Sequence, residues 1–187
     1  MKLLIAGLTV WSLVHLVPAV AIPWKQKLTG LLGENGYKLA FTVLILASLA
    51  LIVFGWRSSV PTTLYVLPPA TRSLSFLLIL IAFILFGASN YPTRIKSFVR
   101  HPQLTGVAIW ALAHLLLNGD SRSLLLFGWL GIWALLEIIF INRRDGDWIK
   151  PAPPGWVREF RGLAISLVVM VVVIMLHPYF AGVPIHP

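Results

Sequence analysis

The chain has 187 residues, 58% of them hydrophobic and only 11% charged, against the roughly 25% charge of an ordinary soluble domain, so a water-soluble fold is excluded. Its formal net charge of +9 is gathered in clusters beside apolar runs, with no stretch of five or six basic residues; this excludes nucleic acid as the partner and makes the charge a determinant of orientation in a lipid bilayer. The absence of cysteine excludes disulfides, thioether-linked haem, iron-sulfur clusters and thiolate chemistry, which leaves His, carboxylates and Met to hold any metal.

A helix crosses a bilayer with about 20 apolar residues. Apolar length and polar or Pro/Gly breaks predict six such spans, at residues 3–22, 39–56, 74–89, 104–117, 124–141 and 163–180. The expected fold is therefore an all-α, polytopic membrane bundle of six transmembrane helices, one domain over residues 1–187. The fourth span is the shortest and ends at Asn118-Gly119-Asp120; hydropathy alone would join its neighbours differently. Orientation argues for keeping it. With six spans, eleven Lys and Arg fall on one side and only Lys2, Arg57, Arg72 and Arg122 on the other. Basic loops stay in the cytoplasm, so both termini are expected in the periplasm and the loops after spans one, three and five inside.

Met1-Lys2, an apolar run and Ala19-Val20-Ala21 also look like a cleavable signal peptide. Such a segment inserts with its N-terminus inside, sending Lys25 and Lys27 outward against the rest of the pattern. Retention as span one fits better. Residues 91–103, with Arg94, Lys96 and Arg100 among Ile95, Phe98 and Val99, suit a short helix at the cytoplasmic headgroups. Residues 142–161 contain Pro151, Pro153 and Pro154 and are expected to be irregular up to Gly155.

Ionisable side chains inside a span are costly, and three qualify: His15, His114 and Glu137. His15 lies in the run Gly7-Leu-Thr-Val-Trp11-Ser-Leu-Val-His15-Leu16, and His114 in Gly106-Val-Ala-Ile-Trp110-Ala-Leu-Ala-His114-Leu115. Aligned without gaps, the two share Gly, Trp, Leu, His and Leu. Positions i, i+4 and i+8 form one slanting stripe on a helix. A neutral imidazole can donate a lone pair to iron, Trp11 and Trp110 offer apolar walls, and glycine lets a macrocycle or a neighbouring helix approach. Spans one and four run in opposite directions, so the pair would be related as in a 3+3 inverted pseudo-repeat, and two such helices could sandwich one haem b with His15 and His114 as metal ligands. From the rise per residue, the two histidines differ in depth by about 9 Å. Ordinary helix packing and proton handling are the competing readings of the same residues.

His101 precedes Pro102, 13 residues before His114, which along one helix is about 20 Å and nearly the opposite face; both cannot ligate one iron. With Arg100 it could meet a haem propionate or a lipid phosphate at the cytoplasmic rim, or cap the helix. Glu137 is expected to pair with Arg143 or Arg144, with proton delivery as the sharper alternative. His177 and His186, beside Pro178 and Pro187, show no helix-face pairing.

The run Arg100-His-Pro-Gln-Leu-Thr-Gly-Val-Ala-Ile-Trp-Ala-Leu-Ala-His114-Leu-Leu-Leu-Asn-Gly-Asp120, with Ser123 and Leu126-Phe127-Gly128, resembles the NnrU family, as does the early Trp11-Ser-Leu-Val-His-Leu-Val-Pro18. The resemblance covers nearly the whole chain. It implies a bacterial inner-membrane protein linked to nitrogen-oxide metabolism and denitrification. A relative of that family, the 15-cis-zeta-carotene isomerase of plants and cyanobacteria, is a haem b enzyme whose haem-associated histidines correspond to His15 and His114, with its Arg-His-Pro histidine at His101. Cofactor-binding positions implied here are then His15, His114, Arg100, His101, Trp11 and Trp110. The resemblance leaves three roles: a haem protein of denitrification, an isomerase of a hydrophobic carotenoid-like polyene, or an assembly factor for a respiratory nitrogen-oxide reductase. A weaker likeness, Arg100 to Gly106 against the Arg-His-Pro-x-Tyr-x-Gly segment of membrane methyltransferases, departs at Leu104 and lacks their paired-Glu helix, which argues against S-adenosylmethionine binding.

Overall fold

The computed structural model describes residues 1–182. Six α-helices follow in order: α1 Lys2–Val20, α2 Ile22–Ser58, α3 Thr71–Asn90, α4 Pro102–Leu115, α5 Ser121–Asp145 and α6 Trp156–Ala181, with a 3-10 turn at Arg94–Ser97. An apolar run in hydrocarbon has no water for its peptide groups and satisfies them by coiling. Five of the helices are long and apolar enough to cross a membrane. The exception is α4, whose 14 residues rise about 21 Å against a hydrocarbon thickness of about 30 Å. The expected span 104–117 is thus helical but short of spanning length.

Two boundaries differ from the sequence expectation. The stretch after α1, expected as a break, is helix: α2 begins at Ile22 and runs 37 residues, bent at Gly33, which has φ 71° and ψ 166°. Pro23 sits in the first turn, where its missing N–H costs nothing, and Gly33 supplies the positive φ that a side chain resists. The segment 91–103 carries only the 3-10 turn before α4 begins. By contrast, residues 146–155 are irregular, as the prolines require.

Helix pairing places α1 against α2 and α5, α4 against α3 and α5, and α6 against α3 with a few contacts back to α2. Lipid tails are as apolar as side chains, so close backbone approach rather than water exclusion holds such helices together. At Gly7 an added Cβ would lie 2.8 Å from the Ile52 nitrogen and 2.9 Å from the Ser48 carbonyl, and Gly55 meets the Leu4 backbone in the same way. Leu4 and Leu8 are fully buried there, in a cluster with Ile52, Ala111, Leu126 and Phe127. The pairing does not repeat by halves: α3 packs broadly on α4, whereas α6, its counterpart, has no comparable contact with α1.

Each end of the bundle is clasped. At the end bearing Met1, Thr63 and Asp120 form an antiparallel bridge, and Leu64 N–H donates to the Gly119 carbonyl at 2.7 Å. Asp120 caps α5 through the Arg122 and Ser123 N–H groups, both at 3.1 Å. At the opposite, basic end, Glu159 of α6 accepts the Thr93 hydroxyl at 2.8 Å and the Arg94 N–H.

Candidate functional site

The two related decapeptides fold alike. The α-helical spacing brings Trp11 over His15, with ring centroids 4.4 Å apart, and Trp110 over His114 at 4.6 Å. The His15 Nδ1 meets the Trp11 carbonyl at 2.9 Å, and the His114 Nδ1 meets the Trp110 carbonyl at 2.8 Å. A carbonyl can only accept, so Nδ1 carries the proton in both rings and Nε2 keeps its lone pair. Neither Nε2 has a hydrogen-bond partner among the described residues.

Both imidazoles rest on α5. His15 lies 5.1 Å from the Trp133 ring and 5.5 Å from Phe41 of α2; His114 stacks on Phe127 at 4.4 Å with a 27° tilt. Phe127 and Trp133 are six residues apart on one helix, or about 9 Å of rise and about 120° of rotation. The glycines do not open a slot for a flat macrocycle, however. Gly7 admits α2, as described above, and Gly106 admits α3: its added Cβ would lie 2.8 Å from the Phe86 ring and 3.1 Å from the Ala82 carbonyl. The neighbouring-helix use of those glycines is the one realised.

A metal held by protein side chains alone needs three or more donors together, and no such group of His, Asp or Glu occurs among the described residues. Each imidazole taken singly has the setting of a ligating histidine, which characteristically donates its second N–H to a carbonyl or carboxylate and keeps the other nitrogen for a metal.

Near His15 the Trp11 indole nitrogen is buried without a partner among the described residues, while the Trp133 indole N–H interacts with the carboxylate of Glu137 one turn on. Glu137 is only 3% exposed. The expected ion pair with Arg143 or Arg144 is absent, because Arg144 turns outward to Asp145 at 2.6 Å and to the Pro18 carbonyl at 2.7 Å. His114, in the last turn of α4, is instead held from the loop side. Its carbonyl accepts the Leu117 and Asn118 N–H groups at 3.1 and 2.8 Å, and the Tyr65 hydroxyl donates to the Leu115 carbonyl at 2.7 Å. Burial, and after it Asp120, raises the Tyr65 pKa.

His101 occupies the N-cap position of α4 but makes no capping bond through its side chain; its Nε2 meets Asn142 Oδ1 at 2.9 Å. Arg100 reaches the Gly146 carbonyl at 2.8 Å. These two residues stand at the basic end, remote from His114. His177 contacts Phe180, ring to ring, at 5.3 Å, and His186 lies outside the described residues. Sequence reasoning missed Phe127, Trp133 and the Ser12 hydroxyl, which accepts the Trp129 indole N–H at 2.9 Å. Aromatic content on span five was visible, but which ring met which histidine was not.

A helical membrane bundle with two like-set histidines, on α1 and α4, that both rest against α5 is the class that these features define. The chain matches the NnrU protein family over residues 3–185 and belongs to it. Searches of curated proteins and of solved structures found no match.

Proposed function

We propose that this NnrU-family protein is a bacterial inner-membrane protein that holds haem b through His15 and His114 and acts in nitrogen-oxide metabolism. The carrying observation is the duplicated imidazole setting, each Nδ1 tied to the carbonyl four residues earlier and each Nε2 left free. Trp11 and Trp110 would wall the cofactor, and Trp133 and Phe127 would fix the planes of the ligand rings. Bound there, haem would supply one-electron chemistry. The chain's part is to hold both imidazoles neutral and oriented, and to keep water from them with aromatic rings.

In this reading α4 is the sixth crossing, completed by the loop that Tyr65 and Asp120 hold against its outer end. The basic end faces the cytoplasm and both termini the periplasm, in keeping with the segregation of Lys and Arg. We read the inverted relation as kinship of the two decapeptides rather than of whole halves, because α3 and α6 pair differently.

The test is an absorption spectrum of the purified wild type beside His15→Ala and His114→Ala, with circular dichroism to verify folding. A low-spin b-type spectrum in the wild type that turns high-spin or vanishes in each variant is expected. Folded, haem-free wild type purified from haem-replete cells would overturn the reading and leave an assembly role.

A further inference from the structure

At the basic end a cavity of about 420 Å³ opens between the start of α4, the end of α5 and the loop that follows. This is within the range of small-ligand sites. Arg100, His101 and Thr105 line it on one side, Ile138 and Asn142 on α5, and Trp148 beyond them. The chemistry of this lining is one-sided. Arg100 uses one N–H on the Gly146 carbonyl, and its other four N–H groups have no acceptor among the described residues. The Asn142 amide oxygen is taken by His101, which leaves the Asn142 NH₂ without an acceptor. Lys150 adds a cation 5.4 Å from the Trp148 ring centre. The carboxylate electrostatically coupled to Arg100 and His101 is Asp145, and Arg144 clasps both its oxygens at 2.6 and 3.2 Å.

A pocket offering donors and positive charge selects a ligand that offers acceptors and negative charge, and a phosphate group meets a guanidinium fork with two oxygens at once. Ile138 and the position of Asn142, one residue past the apolar run of α5, put the site where headgroups meet tails. The geometry points to a binding site for the phosphate of an anionic phospholipid, held by Arg100 and Asn142 beside His101 and Trp148. The site stands apart from the haem reading: His101 is 13 residues from His114, about 20 Å along α4.

Native mass spectrometry of the full chain, released from phosphatidylcholine nanodiscs doped with phosphatidylglycerol, tests this. The wild type and Lys27→Gln, which removes an exposed charge elsewhere, should retain phosphatidylglycerol equally. Arg100→Gln should retain about tenfold less, the scale of one lost charged hydrogen-bond pair. Asn142→Ala changes no charge and should lose about threefold, which carries the test should Arg100→Gln fail to fold. The double variant His15→Ala/His114→Ala should retain the lipid as the wild type does. Retention unchanged by Arg100→Gln and Asn142→Ala, or lost with the two histidines, overturns the site. Displacement by millimolar inorganic phosphate or glycerol phosphate would reassign it to a soluble phosphate compound and overturn the lipid source.

Discussion

His15 and His114 have the same local chemistry in different surroundings. His15 sits partway along α1, in a box of Trp11, Trp133 and Phe41. His114 sits one residue from the end of α4, stacked on Phe127 and steadied by hydrogen bonds from the loop beyond. One decapeptide pattern thus places the proton of an imidazole on Nδ1 by itself, while the tertiary setting decides how firmly that imidazole is held and what lies beside it.

The comparison is most sharply broken at the glycines. A methyl at Gly7 meets backbone atoms of α2 at 2.8 and 2.9 Å, which cannot move alone, whereas a methyl at Gly106 meets the side of the Phe86 ring at 2.8 Å, which can turn, and the Ala82 carbonyl only at 3.1 Å. Gly7→Ala is therefore expected to lower stability by about 2–3 kcal/mol and Gly106→Ala by about 1 kcal/mol or less, measured by thermal unfolding in detergent. Equal losses would show that the two stripes are packed alike.

A smaller effect separates the two imidazoles. Tyr65→Phe removes the hydroxyl that holds the α4 terminus and should cost about 1 kcal/mol. Amide exchange should quicken at Leu117 and Asn118, whose N–H groups meet the His114 carbonyl, and stay unchanged around His15. Exchange that quickens at both would mean that the two sites are not separately supported.

The smallest effect is expected at Glu137. With no ion pair to break, Glu137→Gln should change stability by less than about 1 kcal/mol, whereas loss of a buried ion-pair partner costs about 3–5 kcal/mol. A loss of the larger size would show that Glu137 is paired with Arg144 after all.

The spans at α1, α3 and α5 were legible because hydropathy reports burial in lipid, and their limits fall within about four residues of the apolar runs. The early part of α2 was not. Lys25, Gln26, Lys27, Gly30 and Glu34 carry no apolar signal, yet a helix outside hydrocarbon needs none, since its own hydrogen bonds suffice. The histidine pair, with Gly and Trp on the same stripe, was likewise readable from spacing. Which helix filled each glycine face was not, because α2 against Gly7 and α3 against Gly106 is a choice made by the whole bundle. The unformed ion pair of Glu137 has the same origin: Arg144 lies near in sequence, but the helix end lets it reach Asp145 and Pro18.

The use of α5 as the common rest for both imidazoles has a mechanical consequence. Because Phe127 and Trp133 ride on a single rigid rod, any twist applied to that rod tilts the seats of both rings in the same rotational sense. The pair behaves as two vanes on one axle, and neither can be re-aimed through α5 without the other.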